Sequence, residues 1–133
     1  MDITLVFDLV NADSGEDHEV AVEINVQSES LAADFEVVAK DADAEVFSSC
    51  YKGLLEEGAE GYATTSGILT RIAFDDLGWQ DVTANFMKLV VNGHEVLFSD
   101  EALEIFGEEL GLQLVRNDPD DDERDSHWMY FAF

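Results

Sequence analysis

Two stretches in which every second residue is apolar constrain the start of the fold: Ile3, Leu5, Phe7 and Leu9, then Val20, Val22, Ile24 and Val26. Successive side chains of an extended chain point to opposite faces, so each set lies on one side of a strand. Between them Asn11-Ala12-Asp13-Ser14-Gly15-Glu16-Asp17-His18 is polar with a central glycine, and the spacing predicts a β-hairpin. The second strand turns Glu19, Ala21, Glu23, Asn25 and Gln27 the other way. One face packs, and the other is solvated and partly acidic.

Beyond Ser28 two patterns compete. Leu31, Phe35, Val38 and Ala39 fit a helix capped by Ser28, whereas Asp34-Phe35-Glu36-Val37 alternates like a strand; the helix is the reading adopted. Residues 43–57 repeat Val46, Phe47, Cys50, Tyr51, Leu54 and Leu55 at helical spacing, with Gly58 as a stop. Residues 68–74 alternate Ile68, Thr70, Ile72 and Phe74 against Leu69, Arg71 and Ala73, which predicts a strand buried on most of both faces, with a helix as the alternative. Asn92-Gly93 tolerates positive φ and marks a two-residue hairpin turn between Phe86–Val91 and His94–Phe98. Ser99 or Asp100 caps a helix with the stripe Ala102, Leu103, Phe106 and Leu110, ended by Gly111. Leu112–Val115 and Trp128–Phe133 close the sheet across a connection from Arg116 to His127. The expected fold is α+β, a single domain over residues 1–133 with a mainly antiparallel sheet of about five to seven strands and two or three helices.

Charge narrows the function. The chain holds 31 Asp and Glu against 6 Lys and Arg, a formal charge of -25, yet 47% of its residues are hydrophobic, too many for a disordered acidic tail. Two carboxylates ~6 Å apart repel by roughly 0.7 kcal/mol in water, so such an excess weakens the compact state unless a partner uses it. Nucleic acid and anionic membrane are excluded as direct ligands, and basic proteins or cations remain. The charge is uneven: residues 1–30 hold eight acids and no base, whereas residues 61–90 hold three acids and two bases and suit the core or a subunit contact. No apolar run reaches the ~20 residues of a membrane span, and Met1-Asp2-Ile3 lacks the basic region of a secretory leader, which points to the cytoplasm, the host's for a phage-encoded chain.

Nothing in the residues points to an enzyme, a cofactor or a metal. Cys50 sits on the apolar side of its helix, and Ser48 and Ser49 have no local base. His18, His94 and His127 lack a second ligand at zinc-like spacing. The run Asp118-Pro119-Asp120-Asp121-Asp122-Glu123-Arg124-Asp125 starts like a calcium loop, but Glu123 stands where an EF-hand needs Gly and Met129 where it needs Glu.

The pattern that carries a function is acids at regular spacing. On the second strand Glu19 and Glu23 lie ~13 Å apart on one face, and on a helix Asp34, Asp41 and Glu45 fall near one side. With Asp13, Glu16 and Asp17 of the hairpin loop, and Asp118, Asp120, Asp121, Asp122, Glu123 and Asp125, they offer rows of negative charge at separations of the order of duplex phosphates. In charge, size and folded composition the chain resembles the acidic DNA-mimic inhibitors, many of them phage-encoded anti-restriction or anti-CRISPR proteins. That class shares no sequence motif and no common fold. The resemblance implies an inhibitor that occupies the nucleic-acid-binding surface of a nuclease, CRISPR effector, restriction enzyme, gyrase or repressor, and a homodimer would double the length of its charged strip. An immunity protein for a basic nuclease toxin, an acidic halophilic domain and a phage structural protein remain as alternatives.

Overall fold

The alternating stretches pair as antiparallel strands β1 (Asp2–Asn11) and β2 (Asp17–Asn25), with Ile3 opposite Ile24, Leu5 opposite Val22 and Phe7 opposite Val20. The structure, a computed structural model, describes residues 1–116 and 127–131. Within these residues β3 (Asp81–Val91), β4 (His94–Glu95), β5 (Leu112–Arg116) and β6 (His127–Phe131) complete a six-stranded sheet in the order β2-β1-β3-β5-β6, with β4 beside the end of β3. Every pairing is antiparallel, and the fold is α+β. Among the described residues the α-helices number four, one more than the upper expectation: α1 (Glu29–Asp41), α2 (Ala44–Leu54), α3 (Tyr62–Thr70) and α4 (Asp100–Glu109).

Local chemistry sets the helix starts. Oxygens of Ser28, Asp43 and Ser99 accept from the N–H groups of Leu31, Val46 and Ala102, the bonds that satisfy otherwise orphaned donors of a first turn. Glu60 adds a long-range clamp, its Oε1 accepting from Gln27 N–H and from Ser28 N–H at 2.8 Å. At the Asn92-Gly93 turn both residues have positive φ, 48° and 84°, as that hairpin requires. β4 itself is only two residues long, shorter than the predicted His94–Phe98.

Ala42 ends α1 at φ 50°, ψ 39°, where a β-carbon costs roughly 1 kcal/mol. Ala42→Gly should therefore raise the unfolding free energy in urea by about 0.5–1 kcal/mol. An unchanged midpoint would mean that the lost methyl packing offsets the relief.

The strand expected over 68–74 is a helix. α3 runs into a π-helical turn (Arg71–Asp76), in which Leu77 N–H donates to Ile72 C=O, and Trp79 N–H then donates to Ala73 C=O across Gly78 at φ 70°. The buried residues are Thr65, Leu69, Thr70, Ala73 and Phe74, a helical recurrence, whereas Ile68 and Ile72 are only partly covered. Seven residues rich in β-branched side chains satisfy both periods, and packing decided between them. α3 touches both β2 and β6, the strands at the two ends of the sheet order among the described residues. Together with β3, the central strand, it explains why residues 61–90 carry so little charge.

One core joins the inner faces of the strands to the helices. Phe47 of α2 is its aromatic hub, with ring centroids 5.8 Å from Tyr51, 4.9 Å from Phe86, 5.2 Å from Phe98 and 5.0 Å from Phe106. The buried Tyr51 hydroxyl donates to Leu110 C=O at 3.0 Å. Of the predicted apolar stripes, Ala39 and Leu103 are exposed, and α2 stops at Leu54, short of Gly58.

Candidate functional site

With the helices on the inner side, the opposite face of the sheet carries no helix among the described residues and is called the open face. Its residues follow from the strand period and the register: Asp17, Glu19, Ala21, Glu23 and Asn25 on β2 stand against Val10, Asp8, Val6, Thr4 and Asp2 on β1. The backbone shows which of these pairs are close. Met1 N–H donates to Val26 C=O, and Val26 N–H to Met1 C=O, so hydrogen bonding alternates from there through Ile3·Ile24, Leu5·Val22 and Phe7·Val20. Asp8·Glu19 and Thr4·Glu23 are then non-hydrogen-bonded pairs, in which side chains approach most closely. Two like charges face each other across β1 and β2.

The electrostatics agree with that geometry. Partial burial, then Asp17, then Glu19 push the Asp8 carboxyl above its ordinary value of 3.8. Folded Asp8 thus holds its proton more firmly than unfolded Asp8, so its contribution to stability is full below pH 3.8 and is lost as pH rises through the raised value. Asp8→Asn should stabilise the protein at neutral pH by about 0.5 kcal/mol, the scale of a like-charge cross-strand pair, and flatten the gain on mild acidification. Thermal melts of both proteins between about pH 4 and 7 measure this, and parallel curves would show that Asp8 is not strained.

β3 and β4 extend the face. Lys88 lies opposite Val6 and reaches Glu95 of β4 at 3.0 Å; the hydrogen bond and charge of Glu95 hold its ammonium above the usual value, with a further push from Glu19. Asp81 accepts weakly from Gln113 at 3.5 Å, and Asp2 accepts from Asn25 at 2.6 Å. Between Phe86, opposite Phe7, and Lys88, opposite Val6, a bulge inserts Met87 and leaves it 47% exposed. The open face thus carries Asp2, Asp8, Asp17, Glu19, Glu23, Asp81 and Glu95 around one lysine. A recess of about 480 Å³ at one end, near Gly93, is lined by Asp2, Thr4, Glu23 and Asn25 among others.

The residues predicted from sequence divide between two sides. Asp17, Glu19 and Glu23 sit on the open face, and the exposed Asp13 and Glu16 lie in the turn at its end, where Asn11 N–H donates to Glu16 C=O and Asp13 N–H to the Asn11 side chain. Asp34, Asp41 and Glu45 do not share a helix face. The left-handed Ala42 breaks the chain into α1, with Asp34 and Asp41, and α2, with Glu45, and both helices belong to the layer behind the sheet. Asp118, Asp120, Asp121, Asp122, Glu123 and Asp125 lie outside the described residues. Asp2, Asp8, Asp81 and Glu95 were missed; the alternation of β1 already turned Asp2 and Asp8 away from the core, but their neighbours depended on strand order.

Among the described residues no three His, Cys, Asp or Glu side chains converge as metal ligands. Burial pushes the Cys50 thiol up to about 11, aided by the charge of Asp34 across the α1–α2 contact, so at neutral pH it is not a thiolate. Ser48 and Ser49 line an open groove of about 500 Å³ with Ala44, Glu45, Lys52 and Ile105, without a histidine. Among the described residues no helix is long and apolar enough to cross a membrane. Compared with protein-family models, with curated proteins and with solved structures, the chain matches none.

Proposed function

We propose that the open face of the sheet substitutes for a nucleic-acid backbone and that the protein inhibits a DNA-binding protein by occupying its cationic groove. The register that sets Asp8 beside Glu19 carries this reading. Like charges directly opposite one another oppose folding, and cations supplied by a partner remove that repulsion. The two-residue step of ~6.8 Å along β2 is twice the ~3.4 Å axial rise per phosphate of a DNA strand, so its carboxylates fit groups spaced for phosphates.

The test is competition with duplex DNA for a purified sequence-nonspecific nuclease. If about six ion contacts form, affinity should fall on the order of a thousandfold between 50 and 200 mM salt, and DNA should displace the protein. Glu19→Gln with Glu23→Gln should weaken binding and shallow the salt slope by about two contacts. Complexes that retain bound DNA, or that ignore salt, would overturn the reading.

One observation favours a second reading. The helical layer is acidic too, with Glu29, Asp34, Glu36, Asp41, Asp43 and Glu45 exposed over α1 and α2. Acids on both sides of the sheet also suit a domain that stays hydrated in concentrated salt, and the salt dependence of stability separates the two.

A further inference from the structure

The same hydrogen-bond alternation that makes Asp8·Glu19 a close pair points the backbone of β2 outward at every acidic position. Val20, Val22 and Ile24 exchange their bonds with β1, so the N–H and C=O groups of Asp17, Glu19, Ala21, Glu23 and Asn25 face the free edge. Among the described residues no strand pairs with that edge. We propose that it receives an extended basic segment of a partner protein as an added strand, whose Lys or Arg side chains at every second position lie across Asp17, Glu19 and Glu23. The inference rests on the reading of the open face as a receiver of cationic groups, and adds how the partner engages it.

Charge selects this occupant. An added strand puts alternate side chains on the acidic face, where carboxylates on β2 and β1 await opposite charge. A second copy fits badly: two β2 strands pairing antiparallel about Ala21 would set Glu19 against Glu23 twice. Charged residues on an edge strand block self-pairing in this way. The pattern admits a basic strand and rejects its own.

Ala21→Pro tests the inference without changing charge. It deletes one outward N–H, and the β1–β2 bonds of Val20 and Val22 remain, which is the setting in which an edge strand accepts proline. The probe is a synthetic peptide alternating Arg and Thr, matched in length to β2, against a control of equal charge with its central Thr residues replaced by Pro. At about 50 mM salt, where screening is weak, the alternating peptide should bind roughly tenfold more tightly than the control, and Ala21→Pro should abolish the difference. On the unaltered protein, hydrogen exchange should show the amides of Glu19, Ala21 and Glu23 exchanging quickly when free and protected with the peptide bound, a readout that survives if Ala21→Pro fails to fold. Equal binding of both peptides, or unprotected amides in the complex, would overturn strand addition. In that event salt-steep displacement by DNA would still uphold the proposed function, whereas its absence would sink that reading as well.

Discussion

Phe47→Ala should cost about 3–5 kcal/mol of unfolding free energy, the range for removing a fully buried aromatic ring that its surroundings cannot replace. The side chain is fully buried and meets Tyr51, Phe86, Phe98 and Phe106, so a single residue of α2 ties together the central strand, the segment after β4 and α4. Domains of this size have roughly 5–15 kcal/mol in total, and a chain with so much like charge starts with less to lose. Urea denaturation followed by circular dichroism measures the loss. Phe47→Leu, which retains most of the apolar volume, should cost clearly less. A loss below about 1 kcal/mol for the alanine variant would show that the cluster is loosely packed.

Raising sodium chloride from about 0.1 to 1 M should stabilise the protein substantially, because the Debye length falls from ~10 Å to ~3 Å. A carboxylate pair ~6 Å apart then drops from about 0.4 to about 0.1 kcal/mol of repulsion. About ten such neighbours would contribute roughly 3 kcal/mol, or on the order of 10 °C in melting midpoint. Asp8·Glu19 is one such pair, and the acids of α1 and α2 supply others. Thermal melts across a salt series decide between the two functional readings. A chain folded at 0.1 M that gains stability steadily fits an acidic binding face. A chain unfolded until molar salt fits the salt-adapted alternative, and a midpoint indifferent to salt would show that the carboxylates lie too far apart to repel.

Much of the local structure was legible because short-range chemistry determines it. The two-residue alternation of β1 and β2, the caps at Ser28 and Ser99, and positive φ at Asn92-Gly93 each depend on residues a few positions apart. Residues 68–74 were not legible in this way. Ile68, Thr70, Ile72 and Phe74 alternate as well in a strand as Leu69, Ala73 and Phe74 recur in a helix, and only the space between β2 and β6 chose. Asp34, Asp41 and Glu45 failed as a group for a related reason: a one-residue break at Ala42 alters every later angle, and spacing cannot register it.

The sequence by itself determined that this chain is acidic, folded and built around an antiparallel hairpin, since charge, apolar content and side-chain period belong to the residues themselves. Which acids share a surface was decided by the tertiary structure. Register set Asp8 beside Glu19, strand order brought Glu95 and Lys88 to the same face, and helix packing sent Asp34 and Glu45 behind the sheet. Charge–charge interaction acts over a few ångströms through space, and the chain distances that a sequence displays carry no measure of that separation until the strands have paired.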